Sequence, residues 1–472
     1  MLATVLGSAV ASLDATVVNI ALPAIGRSLD SDVAGLQWTS IGYTLTLASF
    51  ILLGGALGDR LGRRIVFVWG AIAFAAASLL CGIAMNIEML VAARMLQGIA
   101  GAMLTPGSLA LISSSIEARD QGAAIGMWSG LGGVAGAVGP LLGGWLVEVA
   151  SWRSVFLINL PLAAAVVWVS MRHVPESSDP HAPARLDVLG AVVVAAALGT
   201  LTYGLITPAV PFAIFGLVLL AVFVVIEVRS DHPLVPPSLF SSRVFTATNI
   251  VTLAVYAALG GVFFLLVLQL QLVSGYSAIA AGVATIPITL IMLVLSSRAG
   301  RWAQRHGPRI PMTFGPLLAA VGVLLMLRVD ADTSYVVDVL PAVVVFGLGL
   351  AVLVAPLTGA VLGSVPTEES GIASGVNNAV ARTAGLLAVA ALPGLAGISS
   401  AGFDDPAEFD AGFQIAMLVC AALLVIGSAL AAILLGGPRR APQPETVDCV
   451  PHCGIDGPAV QPDVHPRPAG AS

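Results

Sequence analysis

Two groups of residues place charge where their surroundings carry none. The first is a lone acid, Asp14, in Leu13-Asp14-Ala15-Thr16-Val17-Val18-Asn19-Ile20-Ala21-Leu22-Pro23. A carboxyl this deep in an apolar run is costly, and it normally faces a cavity or a partner. There it suits reversible protonation or pairing with a cationic ligand. The competing reading is a carboxyl that pairs with a neighbouring helix and only fixes packing. The second group is Arg94-Met95-Leu96-Gln97-Gly98. Gln97 lies one helical turn from Arg94, on the same face. A guanidinium keeps its proton, so Arg94 either controls a nearby carboxylate or ties itself to backbone carbonyls. Arg382, in Asn377-Asn378-Ala379-Val380-Ala381-Arg382, is the corresponding base in the second half. It either binds substrate or links helices. Gln269, Gln271, Asn377 and Asn378 either line a cavity or hydrogen-bond across helices.

A third cluster differs in kind. Gly55-Ala56-Leu57-Gly58-Asp59-Arg60-Leu61-Gly62-Arg63-Arg64 packs one acid and three arginines between long apolar runs. Unpaired charge is too costly for a soluble core, but the cluster fits a tight hairpin at a membrane face, anchored by positive charge. The composition requires such a membrane. Of 472 residues, 58% are hydrophobic and only 10% charged, far below the quarter usual in soluble domains. Reading about 20 apolar residues per span places spans near 1–23, 36–57, 65–84, 88–113, 121–147 and 154–171. Two more fall near 188–208 and 209–228, and six near 247–273, 279–297, 311–328, 336–363, 371–398 and 411–436. The first run has no basic leader and contains Asp14, so it reads as a spanning helix rather than a signal peptide.

All 20 basic residues are Arg. With both termini cytoplasmic, fifteen of them fall in inner loops and tail, and only Arg27, Arg153 and Arg328 fall outside. That is the positive-inside pattern of a multi-pass plasma-membrane protein. The expected organisation is all-α. A six-helix bundle over 1–173 is followed by a two-helix insert with flanking linkers over 174–246. A second six-helix bundle over 247–436 precedes a disordered cytoplasmic tail over 437–472. An internal repeat supports this division. A shift of 245 residues lays Gly300, Arg305, Gly307 and Arg309 on Gly55, Arg60, Gly62 and Arg64, with Gln304 in place of Asp59. Such repeats mark transporters built from two related bundles.

The fifth span carries Gly126, Gly139, Gly143 and Gly144 with Pro140 among them. Small residues at four-residue spacing let another helix approach closely, and Pro140 kinks the helix, so packing and a gating role both fit. Other chemistries are disfavoured. All six histidines fall in loops or tail, which argues against an intramembrane metal or haem enzyme. No phosphate-binding loop points to ATP, and no basic patch interleaved with aromatics points to nucleic acid.

These residues together resemble the major facilitator superfamily, and within it the drug–proton antiporter branch with fourteen spans. Gly55–Arg64 resembles its cytoplasmic signature loop. The Asp14–Pro23, Arg94–Gly98 and Gly126–Gly144 stretches resemble the branch's further motifs, as do Trp152–Pro161 and Gly275-Tyr276-Ser277. Ala135 departs from the glycine usual at its position. The resemblance implies a proton-driven exporter, not an enzyme, that works by alternating access. It needs no cofactor and no obligate protein partner, and its ligands are protons and small hydrophobic or cationic compounds such as drugs or antibiotics. It also implies that Arg94 serves proton coupling, that Asp14 is an acid kept for transport, and that Asp59 with Arg60, Arg63 and Arg64 latches the bundles together in one state. The alternatives are metabolite import by the same fold and a non-transporting membrane sensor or scaffold.

Overall fold

The computed structural model describes residues 2–115, 138–178, 187–230, 233–366, 369–399 and 405–435. In lipid an apolar segment must satisfy its backbone groups internally, which leaves helices or closed barrels. Long apolar runs without alternation select the helix, and no strand occurs among the described residues. In chain order the helices of the first half are α1 (Leu2–Leu29), α2 (Val33–Leu61), α3 (Arg63–Gly82), α4 (Ile87–Ser115), α5 (Val138–Val149) and α6 (Ser154–His173). Two helices follow, α7 (Val188–Ile206) and α8 (Val210–Arg229). The second half comprises α9 (Arg243–Leu272), α10 (Ala278–His306), α11 (Arg309–Arg328), α12 (Tyr335–Leu362), α13 (Ser370–Leu395) and α14 (Pro406–Leu434). All but α5 are long and apolar enough to cross a membrane. Of the fifth span, Gly126 and Ala135 lie outside the described residues, as does the tail after 435.

The repeat seen in the sequence is a repeat of packing. In the first half α4 packs on α1, α2 and α3, while α6 packs on α1 and α3. In the second half α12 packs on α9, α10 and α11, while α14 packs on α9 and α11. Each pairing recurs eight helices later. The paired glycines explain part of this correspondence. Gly62 closes α2 at φ 112° and Gly307 closes α10 at φ 88°, a region that residues with a Cβ rarely enter. Each turn feeds directly into the next helix, so the arginine loops sit at equivalent corners of the two bundles.

The insert forms two helices rather than one long kinked hairpin. Asp187 caps α7 by accepting from the Gly190 amide at 2.7 Å, and a proline lies in the first turn of α8. Helix α7 lies against α2 and α13, one helix from each bundle. Helix α8 turns Val210, Phe212, Phe215, Leu217 and Val224 outward. An apolar outer face of this kind suits lipid.

Polar ties between the bundles gather at the end away from the arginine loops. Gln37 of α2 donates to the Val389 and Ala390 carbonyls of α13 at 2.7 and 3.1 Å. Gln271 of α9 donates to the Ile20 carbonyl of α1 at 3.1 Å, and the Ile279 amide of α10 donates to Glu148 in the last turn of α5 at 2.8 Å. At the Gly62 end, among the described residues, no hydrogen bond or ion pair joins the bundles.

Candidate functional site

Four helices of the first bundle converge on Asp14. Its carboxylate is buried midway along α1, and Arg94 of α4 is equally buried. An Arg94 Nη1 hydrogen donates to Asp14 Oδ2, forming an ion pair. Gln97 Nε2 donates to Asp14 Oδ1 at 2.8 Å, and Asn159 Nδ2 of α6 reaches the same oxygen at 2.9 Å. Ser78 Oγ of α3 accepts from both amides, at 2.8 and 3.3 Å. Helical spacing makes this possible: Arg94 and Gln97 are three residues apart, so both point at α1, and Arg94 Nη1 also donates to Gln97 Oε1 at 2.6 Å. Arg94 Nε donates to the Thr39 carbonyl of α2 at 3.1 Å. Its guanidinium carbon lies 4.7 Å from the centre of the Tyr43 ring and 5.8 Å from that of Phe156. Both readings of Arg94 are therefore present in the geometry, the carboxylate partner and the backbone tie.

The chemistry of this cluster follows from a donor count. All of the groups that reach Asp14 are donors, so only the carboxylate form matches them. A proton on Asp14 places an O–H among donors and removes the charge that holds Arg94. Protonation therefore requires rearrangement. One acceptor is at hand: Asn159 Oδ1 is buried and has no hydrogen-bond partner among the described residues. Turning the Asn159 amide would present that oxygen to a protonated Asp14.

Beside the cluster lies a cavity of about 490 Å³ between the bundles. The first bundle contributes Asn19, Ser40, Tyr43, Thr44 and Arg94 to its wall. The second contributes Tyr256, Phe263, Phe264, Asn377, Asn378 and Arg382. Asp14 does not line the cavity; it sits one layer behind Arg94. The polar residues singled out from sequence in the second half separate into two sets. Asn377, Asn378 and Arg382 face the cavity, and Asn377 also donates to Asn249 Oδ1 at 3.1 Å and Thr252 Oγ1 at 2.9 Å. Gln269 and Gln271 bridge helices instead. Gln269 donates to the Val329 carbonyl at 2.9 Å and Asp410 Oδ1 at 2.5 Å, and Gln271 holds the tie to Ile20.

The fifth helix supplies close approach at two places. A Cβ at Gly139 would come within 2.0 Å of Thr16 Oγ1 on α1, and one at Gly143 within 3.0 Å of Val17. Gly144 faces the other bundle, where a Cβ would lie 2.6 Å from the Ile279 Cα. In return, a Cβ on Gly282 would meet the Pro140 carbonyl at 2.4 Å. The helix thus links the Asp14 helix to the seam between bundles.

In the arginine loop, Asp59 pairs with Arg63 at 2.8 Å, one turn along the same corner. Arg64 is held at 3.5 Å by Glu176 from the linker after α6. Glu176 also accepts from the Arg64 and Ile65 amides at 3.0 and 3.2 Å, capping α3. Gly55 meets Pro106 of α4, and Gly62 leaves room for the Glu176 carboxylate. No ion pair involving Arg60 occurs among the described residues. Sequence reasoning passed over Asn159, Ser78 and Glu176 as site residues. Asn159 carried a readable signal, being an amide in an apolar span, whereas a serine or a linker glutamate stands out from nothing around it.

Comparison with known proteins places this geometry. The description Major Facilitator Superfamily matches residues 4–389. A tetracenomycin C resistance and export protein from Streptomyces glaucescens is 34% identical, the match covering 83% of this chain and 74% of that protein. A multidrug resistance protein of Mycobacterium tuberculosis is 33% identical over 80% of this chain and 72% of its own. A puromycin resistance protein from Streptomyces alboniger is 32% identical over 90% and 88%. Among solved structures, a bacterial homologue of the lysosomal transporter Spinster, inward-facing and unoccupied, matches with a TM-score of 0.66 at 16% identity, covering 92% of this chain and 95% of that one. The inward-open xylose transporter XylE of E. coli matches at 0.64 and 13%, over 93% and 96%. The paired bundles, the cavity between them and the relatives agree: this chain is a multi-pass membrane protein and belongs to the major facilitator superfamily.

Proposed function

We propose that the protein exports small, largely hydrophobic compounds in exchange for protons, with Asp14 as the proton site. One observation carries this reading. Asp14 is a fully buried carboxyl group that accepts from Arg94, Gln97 and Asn159 among the described residues, behind the wall of an inter-bundle cavity. Its protonation has to move Arg94, and Arg94 lines the cavity. Proton binding and cavity shape are then two views of one rearrangement. Export rather than uptake is supported by relatives that are resistance and export proteins. The arginine-rich loops lie at the cytoplasmic face of the plasma membrane, with both termini on that side. The ties between the bundles at the end away from the arginine loops fit a state closed on that side and open toward the cytoplasm. Asp59, paired within its own loop, is free in that state to engage the second bundle when the loop end closes. The proton gradient supplies the energy, and no cofactor or nucleotide takes part.

The test uses membrane vesicles with an imposed proton gradient. Asp14→Asn should abolish uphill export while the protein remains in the membrane. Undiminished uphill export by that variant would remove Asp14 from the mechanism.

A further inference from the structure

The two cationic side chains that line the cavity are not equivalent. Arg94 is neutralised by Asp14 and is fully buried behind aromatic rings. Arg382 has no carboxylate partner among the described residues. Its Nε donates to Asn378 Oδ1 at 3.2 Å, and its two terminal nitrogens donate to nothing among the described residues. No Asp or Glu occurs among the described residues lining the cavity. A guanidinium within a spanning helix is costly unless water, a partner or a ligand compensates it.

The remaining wall fits that vacancy in charge balance. With Asn378 Oδ1 turned toward Arg382, the amide nitrogen of Asn378 is left as a donor. Tyr256, Phe263 and Phe264 supply flat apolar surface on the same bundle. A planar guanidinium fork with two free nitrogens matches a carboxylate or a pair of acidic oxygens, and aromatic walls match a flat ring system. A cation entering this cavity meets Arg382 and finds Asp14 already occupied.

Resting on the exporter reading above, we propose that the cavity selects aromatic compounds bearing a negative charge, and that Arg382 is the residue that recognises the charge. The anion is balanced by Arg382 and the proton by Asp14, so the two ligands do not compete for the same atoms. Their exchange is coupled through the alternation of the bundles. This distinguishes the site from one in which a cation and a proton compete for a single carboxylate.

The test is binding of three flat two-ring probes to the purified full chain in detergent: 2-naphthoate, neutral quinoline and N-methylquinolinium. Wild type should bind 2-naphthoate at least about tenfold more tightly than N-methylquinolinium, the worth of one good charge-assisted contact. Arg382→Gln should erase that preference and leave quinoline binding unchanged, which also shows that the variant is folded. Arg382→Lys should retain part of it. Equal or tighter binding of N-methylquinolinium, failure to bind any of the three, or a preference that survives Arg382→Gln would overturn the proposal. Vesicle export of a drug driven by the proton gradient tests the exporter reading separately. If that export persists while the charge preference is absent, only the role of Arg382 falls.

Discussion

The Asp14–Arg94 pair can be taken apart in a way that separates packing from proton coupling. Both side chains are essentially inaccessible, at 0% and 1% relative exposure. Replacing Asp14 with Asn keeps the shape but deletes the charge, and it presents an NH₂ group to neighbours that are themselves donors. Arg94 is left as a buried cation without a counter-charge. Breaking a buried pair from one side costs roughly 3–5 kcal/mol, most of it from the stranded charge. Arg94→Gln strands Asp14 in the same way, although the carboxylate keeps its amide donors from Gln97 and Asn159 and loses less. The double variant Asp14→Asn/Arg94→Gln strands neither charge. Its loss of stability should therefore fall well short of the sum of the two single losses, with a coupling energy of about 2–3 kcal/mol. Denaturant unfolding of the purified protein in mixed micelles measures the stabilities, and proton-driven export in vesicles measures the function. The expected outcome is recovery of stability without recovery of uphill export. A double variant that regains both would show that the pair is a packing device and that the proton binds elsewhere. Single variants as stable as wild type would refute the buried-pair energetics themselves.

Further outcomes follow from the seam and the loop. Gly144→Val puts side-chain atoms into the Ala278–Ile279 backbone, which cannot yield. It should hold the far end apart, seen as greater accessibility to a membrane-impermeant thiol reagent at a cysteine introduced at Ile279. Asp59→Asn leaves the arginine anchors in place, so membrane insertion should be normal and export in vesicles poor; wild-type export would reduce the loop to an anchor. Glu176→Gln removes the Arg64 ion pair and weakens the α3 cap, with an expected stability loss of about 1 kcal/mol by denaturant unfolding. Truncation before Ala441 should leave export intact in the same vesicle assay.

Much of the architecture was legible because lipid imposes so few solutions. Runs of about 20 apolar residues must be helices, and the arginine loops fall where two such helices turn. The repeat was legible for a backbone reason: Gly62 and Gly307 both occupy positive φ, so glycine recurs at the same place in each half. Asp14, Arg94 and Gln97 stood out as polar groups in apolar surroundings, and the structure brings them within hydrogen-bond distance. Their partners on other helices were harder to read. Nothing in the sequence pairs Asn159 with Asp14 across 145 positions, because that contact depends on how α1 and α6 pack. Nor does local sequence distinguish Asn378, which faces the cavity, from Gln269, which bonds to Val329 and Asp410 inside the second bundle. Helical phase relative to the bundle axis decides it, and apolar residues on all sides of these helices hide that phase.

The central claim is that a proton carried by Asp14 is exchanged for an exported compound. Its most direct test is proton movement itself. The full chain is reconstituted in liposomes that enclose a pH-sensitive dye, and a gradient is imposed of a compound to which the chain confers resistance in an exporter-deficient host. Wild type should move protons against the direction of the compound, and Asp14→Asn should let the compound run downhill with no proton signal. Proton movement by Asp14→Asn at the wild-type ratio would contradict the account.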